Sequence, residues 1–216
     1  MKKIRFYLIT AICMVATVSV TSCLDDNDGD DYEYVPLTKM EQLSQLIAME
    51  GNYSGKSYIY SLSGGKAKDS IDVAWTVVDS TLTIKNFPIK LLASVVASQD
   101  YKDALENSDQ TQELKCTIRP YRPYGYDANQ NASTYWYTTE VGDENQIDFN
   151  IMHEGENVKA RMAFVASVTT SGGLISSYGG YSTAQKRMEL YLLPTSLAVG
   201  DAKWNINSVY FFGGNK

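Results

Sequence analysis

A single histidine, His153, serves the whole 216-residue chain, so any acid–base relay built on imidazole would have to run through it. Its neighbours Glu154, Gly155 and Glu156 have turn composition and predict an exposed residue between two strands. The count alone rules out a multi-histidine metal centre. Ser63-Gly64-Gly65-Lys66 has the Ser-x-x-Lys spacing of some acyl-serine enzymes, but Ser-Asp-Asn and Lys-Thr-Gly are missing and the glycines predict a hairpin turn. The chain also lacks a Gly-x-Ser-x-Gly elbow, a phosphate-binding Gly-x-x-x-x-Gly-Lys-Ser/Thr loop and a His-Glu-x-x-His pair. Carboxylates remain. Asp127, Asp143 and Glu144 lie near aromatic segments, and a hydrolase would need two of them facing each other across about 5 to 10 Å. No catalytic residue, metal or cofactor is expected, with a hydrolase working through such a pair as the alternative.

The strongest chemical signal is aromatic. Tyr121, Arg122, Tyr124 and Tyr126 surround Pro123 and Gly125, and Tyr135-Trp136-Tyr137 follows a polar loop. Rings at one end of a β domain stack on sugar faces or partner surfaces, while phenol hydroxyls and Arg122 supply hydrogen bonds. Tyr178-Gly179-Gly180-Tyr181 would extend the same rim. The plainer explanation is that tyrosine suits half-buried strand positions.

The N-terminus carries chemistry of another kind. Lys2, Lys3 and Arg5 precede an uncharged run, Phe6 to Ser22, interrupted by Thr10, Thr17 and Ser19, which predicts a cleaved secretory signal over 1–22 rather than a spanning helix. Val20-Thr21-Ser22-Cys23 resembles the lipobox of bacterial lipoproteins, in which cleavage precedes a cysteine whose thiol is acylated. That resemblance implies a lipid on Cys23, palmitate included, and anchoring through two or three chains, beyond the one-chain case that is marginal. The acidic run Asp25-Asp26-Asn27-Asp28-Gly29-Asp30-Asp31 resembles the export signal of Bacteroidota surface lipoproteins, which implies the outer face of the outer membrane. It is no EF-hand, because aligning Gly29 puts Leu24 and Val35 at liganding positions. Residues 23–36 are expected to form an acidic flexible tether, and 37–216 a single β-rich domain.

Without the first 22 residues, 194 remain, with 16 cations against 25 acids and a formal charge of −9. Such a balance disfavours nucleic acid as a partner. Cys13 leaves with the signal and Cys23 carries lipid, so Cys116 stands alone, on the apolar face of a segment with Leu114 and Ile118. It reads as a buried, inert thiol.

The elements that must position these residues follow from periodicity. Thr38-Lys39-Met40-Glu41 fits a capping box, and Met40, Leu43, Leu46 and Ile47 recur at helical spacing up to Gly51, predicting a helix that packs this stripe on the domain. Alternation then gives an antiparallel meander over Tyr53–Leu62, Ile71–Val77 and Leu82–Ile84. Pro88, Ile89, Leu92, Val95, Val96 and Leu105 suggest a second helix. Strands are expected over Thr111–Tyr121, Ser133–Val141, Ile147–Ile151, Val158–Val168, Met188–Leu192 and Trp204–Phe212, with a long glycine-rich loop from Ser171 to Ser182. Roughly nine one-sided strands predict an all-β fold with one or two short helices, an antiparallel barrel or alternatively a β-sandwich.

The short helix followed by Gly51-Asn52-Tyr53-Ser54-Gly55 resembles lipocalin-like domains, which implies a barrel. With the anchor and Asn86-Phe87-Pro88-Ile89, the chain looks like one of the unknown-function lipoprotein families of gut Bacteroidota. Asp69-Ser70-Ile71 and Asp79-Ser80-Thr81 resemble the Asp-Ser/Thr-apolar sites that Bacteroidota O-glycosylate, implying glycans on Ser70 and Ser80. The function expected is a non-catalytic surface lipoprotein binding a glycan, a small apolar ligand or a partner protein. A fimbrial or assembly component is the other class, for which an open strand edge would be telling.

Overall fold

The computed structural model describes residues 34–62, 70–108, 111–123, 133–142, 144–170 and 173–216, and Tyr34–Lys216 forms one unit. Cys23, the Gly64-Gly65 turn, Tyr124, Tyr126, Asp127 and Asp143 lie outside the described residues. Helix α1 (Lys39–Met49) begins at the expected capping box: the Thr38 hydroxyl accepts from the Glu41 amide, and the Glu41 carboxylate accepts from the Thr38 amide at 2.7 Å. Gly51, at φ +144°, turns the chain directly into β1, a conformation that favours glycine.

Strands β1 (Gly51–Ser61), β2 (Ile71–Val78) and β3 (Thr81–Phe87) form the meander, with Tyr53 opposite Trp75 and Trp75 opposite Ile84. β4 (Gln112–Tyr121), β5 (Thr134–Val141), β6 (Gln146–His153) and β7 (Glu156–Val165) also fall where alternation puts them. β8 (Ser167–Thr170) and β9 (Gly173–Ser176) form a separate hairpin, and β10 (Tyr178–Ser182), β11 (Arg187–Val199), β12 (Ala202–Asn205) and β13 (Ser208–Asn215) complete the chain.

Eight strands close a circle in the order β10-β5-β4-β3-β2-β1-β13-β11, with β11 pairing back to β10. The fold is therefore an all-β, lipocalin-like antiparallel barrel and not a sandwich. β11 serves two sheets. Arg187–Leu192 close the barrel between β13 and β10, whereas Leu193–Val199 pair with β7 and β12 outside it. The register shifts between Pro194 and Ser196, where proline has no amide to give the ladder. The β6-β7 wing turns Ile147, Phe149, Ile151, Met162 and Phe164 into the same core as the residues of the helical segment after β3, and Phe87 meets Phe164 edge-to-face at 6.4 Å.

Four expectations are corrected. The helix begun at Pro88 is two pieces, a 3-10 helix (Ile89–Val95) and helix α2 (Gln99–Glu106), with Val96 extended between them. β-Branched Val95 and Val96 disfavour a continuous helix, and the Ser94 hydroxyl donates back to the Leu91 carbonyl at 2.8 Å. The strand expected to run to Val168 stops at Val165; Ala166 is exposed, and its carbonyl accepts from the Ser177 amide. Much of the expected loop 171–182 is strand, since β9 and β10 lie within it. The apolar stripe of α1 is split: Leu46 packs on the core beside the fully buried Met49, whereas Met40 is 74% exposed, Leu43 51% and Ile47 59%.

Gly179 sits where a Cβ would fall 2.2 Å from the Tyr137 ring and 2.4 Å from the Glu189 carbonyl, whereas at Gly180 the nearest atom is 3.6 Å away. Gly179→Ala should therefore destabilise by about 1–3 kcal/mol or more through overpacking, and Gly180→Ala should stay within about 0.5 kcal/mol. Chemical denaturation of both variants checks this, and equal midpoints would contradict the packing described.

Candidate functional site

Alternation sorts the aromatic residues onto two sides of the barrel wall. Outside, Tyr58 and Tyr60 on β1, Phe211 on β13, Tyr191 on β11, Tyr178 on β10, Trp136 on β5 and Tyr121 on β4 form a row across six adjacent strands. Register makes it continuous: Tyr58 pairs with Phe211, Phe211 with Tyr191, Tyr191 with Tyr178, and Trp136 with both Gly180 and Tyr121. Ring centroids are 4.8 Å apart for Tyr58–Phe211, 4.9 Å for Phe211–Tyr191 and 4.8 Å for Tyr191–Tyr178, then 6.4 Å to Trp136. All but Phe211 are half-buried. Tyr191 and Tyr178 lie within 16° of parallel, so these two rings cover each other's faces, and edges and hydroxyls remain for a partner. Burial, followed by the Glu189 carboxylate and nearby phenols, pushes the Tyr191 hydroxyl up to about 12. Burial and then Tyr178 raise Tyr60 and Tyr121 as well. These phenols stay protonated and able to donate at neutral pH.

Inside, Tyr53 stacks on Trp75 at 5.5 Å and meets Tyr181 at 6.4 Å, Tyr181 approaches Tyr135 at 6.3 Å, and the Trp75 indole donates to Met188 sulfur at 3.4 Å. β1 and β10 stand three strands apart around the circle, as do β2 and β11, so these contacts cross the lumen. Tyr137 is fully buried, and its hydroxyl donates to the Glu189 carbonyl at 2.6 Å. At the α1 end, the Lys216 ammonium donates to the Ala48 carbonyl and lies 5.3 Å from the Tyr181 ring centre and 5.8 Å from that of Tyr53.

The predicted patch is thus divided. Tyr121 and Trp136 lie on the outer row; Tyr135 and Tyr137 point inward, because consecutive strand residues take opposite faces. Arg122 is committed to α1: its guanidinium donates to Glu41 at 3.0 Å and to the Val35 carbonyl at 3.1 Å. Tyr58, Tyr60, Tyr191 and Phe211 were missed. Their signal was present as aromatics on the second face of strands whose first face is core. Ser70 is exposed ahead of β2, and Ser80 is half-buried in the β2–β3 turn, where its carbonyl accepts from the Ile118 amide.

His153 is not the exposed turn residue expected. It ends β6, half-buried, with its ring 4.2 Å from that of Tyr101 and 2° from parallel, while Trp204 packs edge-on against Tyr101. Cys116 is buried on the inner face of β4, and burial pushes its thiol up, away from the reactive thiolate. Glu144 is exposed and accepts from the Gln146 amide. Asp148 accepts two bonds from Arg161, at 2.6 and 2.9 Å, and lies 3.5 Å from Lys159. These cations hold its carboxyl down at about 2, and the Thr38 and Arg122 contacts lower Glu41, opposite to the rise a general acid needs. Among the described residues, no group of three or more His, Cys, Asp or Glu is placed to hold a metal, and no helix is long and apolar enough to cross a membrane.

The architecture defines a lipocalin-like β-barrel protein. The chain belongs to the family described as domain of unknown function (DUF4840), whose model matches residues 48–199, a span from the end of α1 to the end of β11. No curated protein and no solved structure matches it.

Asp148 gives a pH prediction. Its folded pKa is depressed, so its stabilising contribution is present above the usual carboxylate range and lost as pH falls through about 2. The pair is solvent-exposed, so screening keeps the contribution small. Arg161→Gln should move the carboxyl back toward its ordinary value in an NMR titration, with a correspondingly small stability loss at pH 7. An Asp148 titration unchanged by the substitution would contradict this assignment.

Proposed function

We propose that this protein is a non-catalytic cell-surface lipoprotein of Bacteroidota type: residues 1–22 are removed, Cys23 is acylated into the outer membrane, and the barrel is displayed outward on the tether to bind a partner protein through its outer aromatic row. The observation that carries the binding reading is the unbroken row from Tyr58 to Trp136, half-buried on an outer wall. Tyrosine and tryptophan combine apolar area with hydroxyl or indole donors, the combination enriched at protein interfaces. Side-chain contacts across the lumen favour this over a small apolar ligand carried inside. A glycan is the second reading, favoured by Trp136, which is tilted 35° from Tyr178 rather than stacked on it.

Two measurements test the proposal. Intact-mass analysis of native material should show residues 1–22 gone and Cys23 acylated; an unmodified Cys23 behind a retained signal would remove the location. Hydroxyl-radical footprinting should find Tyr178, Tyr191 and Trp136 protected on intact cells relative to the purified protein. Protection that disappears after surface proteolysis indicates a protein partner, and protection that disappears only after periodate treatment indicates a glycan. Equal labelling in both settings would rule out the row as an occupied surface.

A further inference from the structure

Helix α1 carries apolar side chains on two sides, one packed on the barrel and one exposed. Its barrel-facing side carries Gln42 and Gln45 beside Leu46 and Met49, and Gln45 Oε1 is buried with no hydrogen-bond partner among the described residues. Its outward side carries Met40, Leu43 and Ile47, at 74%, 51% and 59% exposure, and the preceding Tyr34 and Val35 are 50% and 54% exposed. Positions 40, 43 and 47 share one face at helical spacing. The helix is also fixed in this attitude: Arg122 holds Glu41 and Val35, Tyr53 hydroxyl donates to the Met49 carbonyl, Lys216 donates to the Ala48 carbonyl, and Glu50 accepts from the Asp79 amide. The stripe therefore stays presented to whatever lies outside the domain.

We infer that this face of α1, with Tyr34 and Val35, rests in the interfacial layer of the membrane that carries the lipid anchor, so that the barrel is held in one orientation on the surface. The inference rests on the lipid-anchor reading above. Three observations select lipid as the occupant. Only eleven residue steps separate Cys23 from Tyr34, and even fully extended they reach no more than about 40 Å; of the exposed apolar groups among the described residues, this one lies nearest in the chain to the anchor. Five side chains fall far short of the roughly 20 residues a side that a stable dimer or partner interface uses, whereas an acyl chain already in the bilayer supplies the effective concentration a weak interfacial contact needs. The outward stripe is aliphatic with a phenol at its N-terminal end, the arrangement that lies in a headgroup–acyl boundary. The acids of the tether, Asp25, Asp26, Asp28, Asp30, Asp31 and Glu33, oppose an anionic surface, so neutral headgroups are the preferred layer.

The experiment uses the full acylated chain in phosphatidylcholine vesicles, with Leu43→Trp and, independently, Ile47→Trp as reporters; both positions are exposed, so folding is undisturbed. Flotation reports the anchor, and quenching by brominated acyl chains reports depth, measured above the baseline from Trp75, Trp136 and Trp204. Both reporters should show blue-shifted emission and bromine quenching well above that of the parent chain, reduced when phosphatidylglycerol replaces phosphatidylcholine. If the protein floats but neither reporter is quenched beyond the parent, the docking of α1 is overturned while the anchor stands. Failure to float overturns the anchor, and this inference with it. Reporters shielded from bromine and water alike, with cross-linked dimers on the vesicles, would assign the face to a second copy and also overturn it.

Discussion

Closure of the barrel runs through five residues, Tyr178 to Ser182, paired to β5 on one side and β11 on the other. The strand fits because Gly179 has no side chain. The Tyr137 ring occupies that space, and its hydroxyl reaches past β10 to the Glu189 carbonyl on β11. One aromatic residue thus ties together two strands that do not pair, across the one that joins them. Tyr181, two residues on, enters the lumen beside Tyr53 and Tyr135. Tyr178, on the opposite face of the same strand, bridges Tyr191 and Trp136 on the outer wall. Closing the barrel and completing the aromatic row are therefore one structural event, and a loss of β10 would open the first and break the second.

Two kinds of surface result. The inner one is consumed by its own side chains: Trp75, Tyr53 and Tyr137 are among the largest fully buried groups. An eight-stranded barrel is just wide enough for side chains to fill or for one small ligand, and rings of this size favour filling. The outer one is half satisfied: Tyr178 and Tyr191 cover each other's faces, and burial keeps the Tyr191 hydroxyl protonated. The α1 face is least satisfied, with apolar side chains half to three-quarters exposed.

Much of this was legible in the sequence. The capping box at Thr38 and Glu41, the meander and β4 through β7 were readable because each is specified locally, by a capping geometry or by a two-residue period. β10 was not, since Gly179 and Gly180 carry no pattern to read, and glycine needed for close approach looks the same as glycine in a loop. The period of α1 is legible but its burial is not, because burial is decided by what a helix meets: Leu46, Ala48 and Met49 pack on the core, and Met40, Leu43 and Ile47 stay outside. A strand must divide Tyr135-Trp136-Tyr137 between its two faces, and the tertiary contact by which Arg122 clamps α1 leaves no local pattern.

Across the lumen, Tyr53 meets Tyr181 and the Trp75 indole meets Met188 sulfur. Titrating the folded protein with a fluorescent fatty acid, while following energy transfer from Trp75, bears on this without knowledge of any partner. No saturable binding should be seen in the native protein, while Tyr137→Ala opens a space that admits the probe. Saturable one-to-one binding to the native protein, with transfer from Trp75, would show a hollow barrel and return the function to carriage of an apolar ligand.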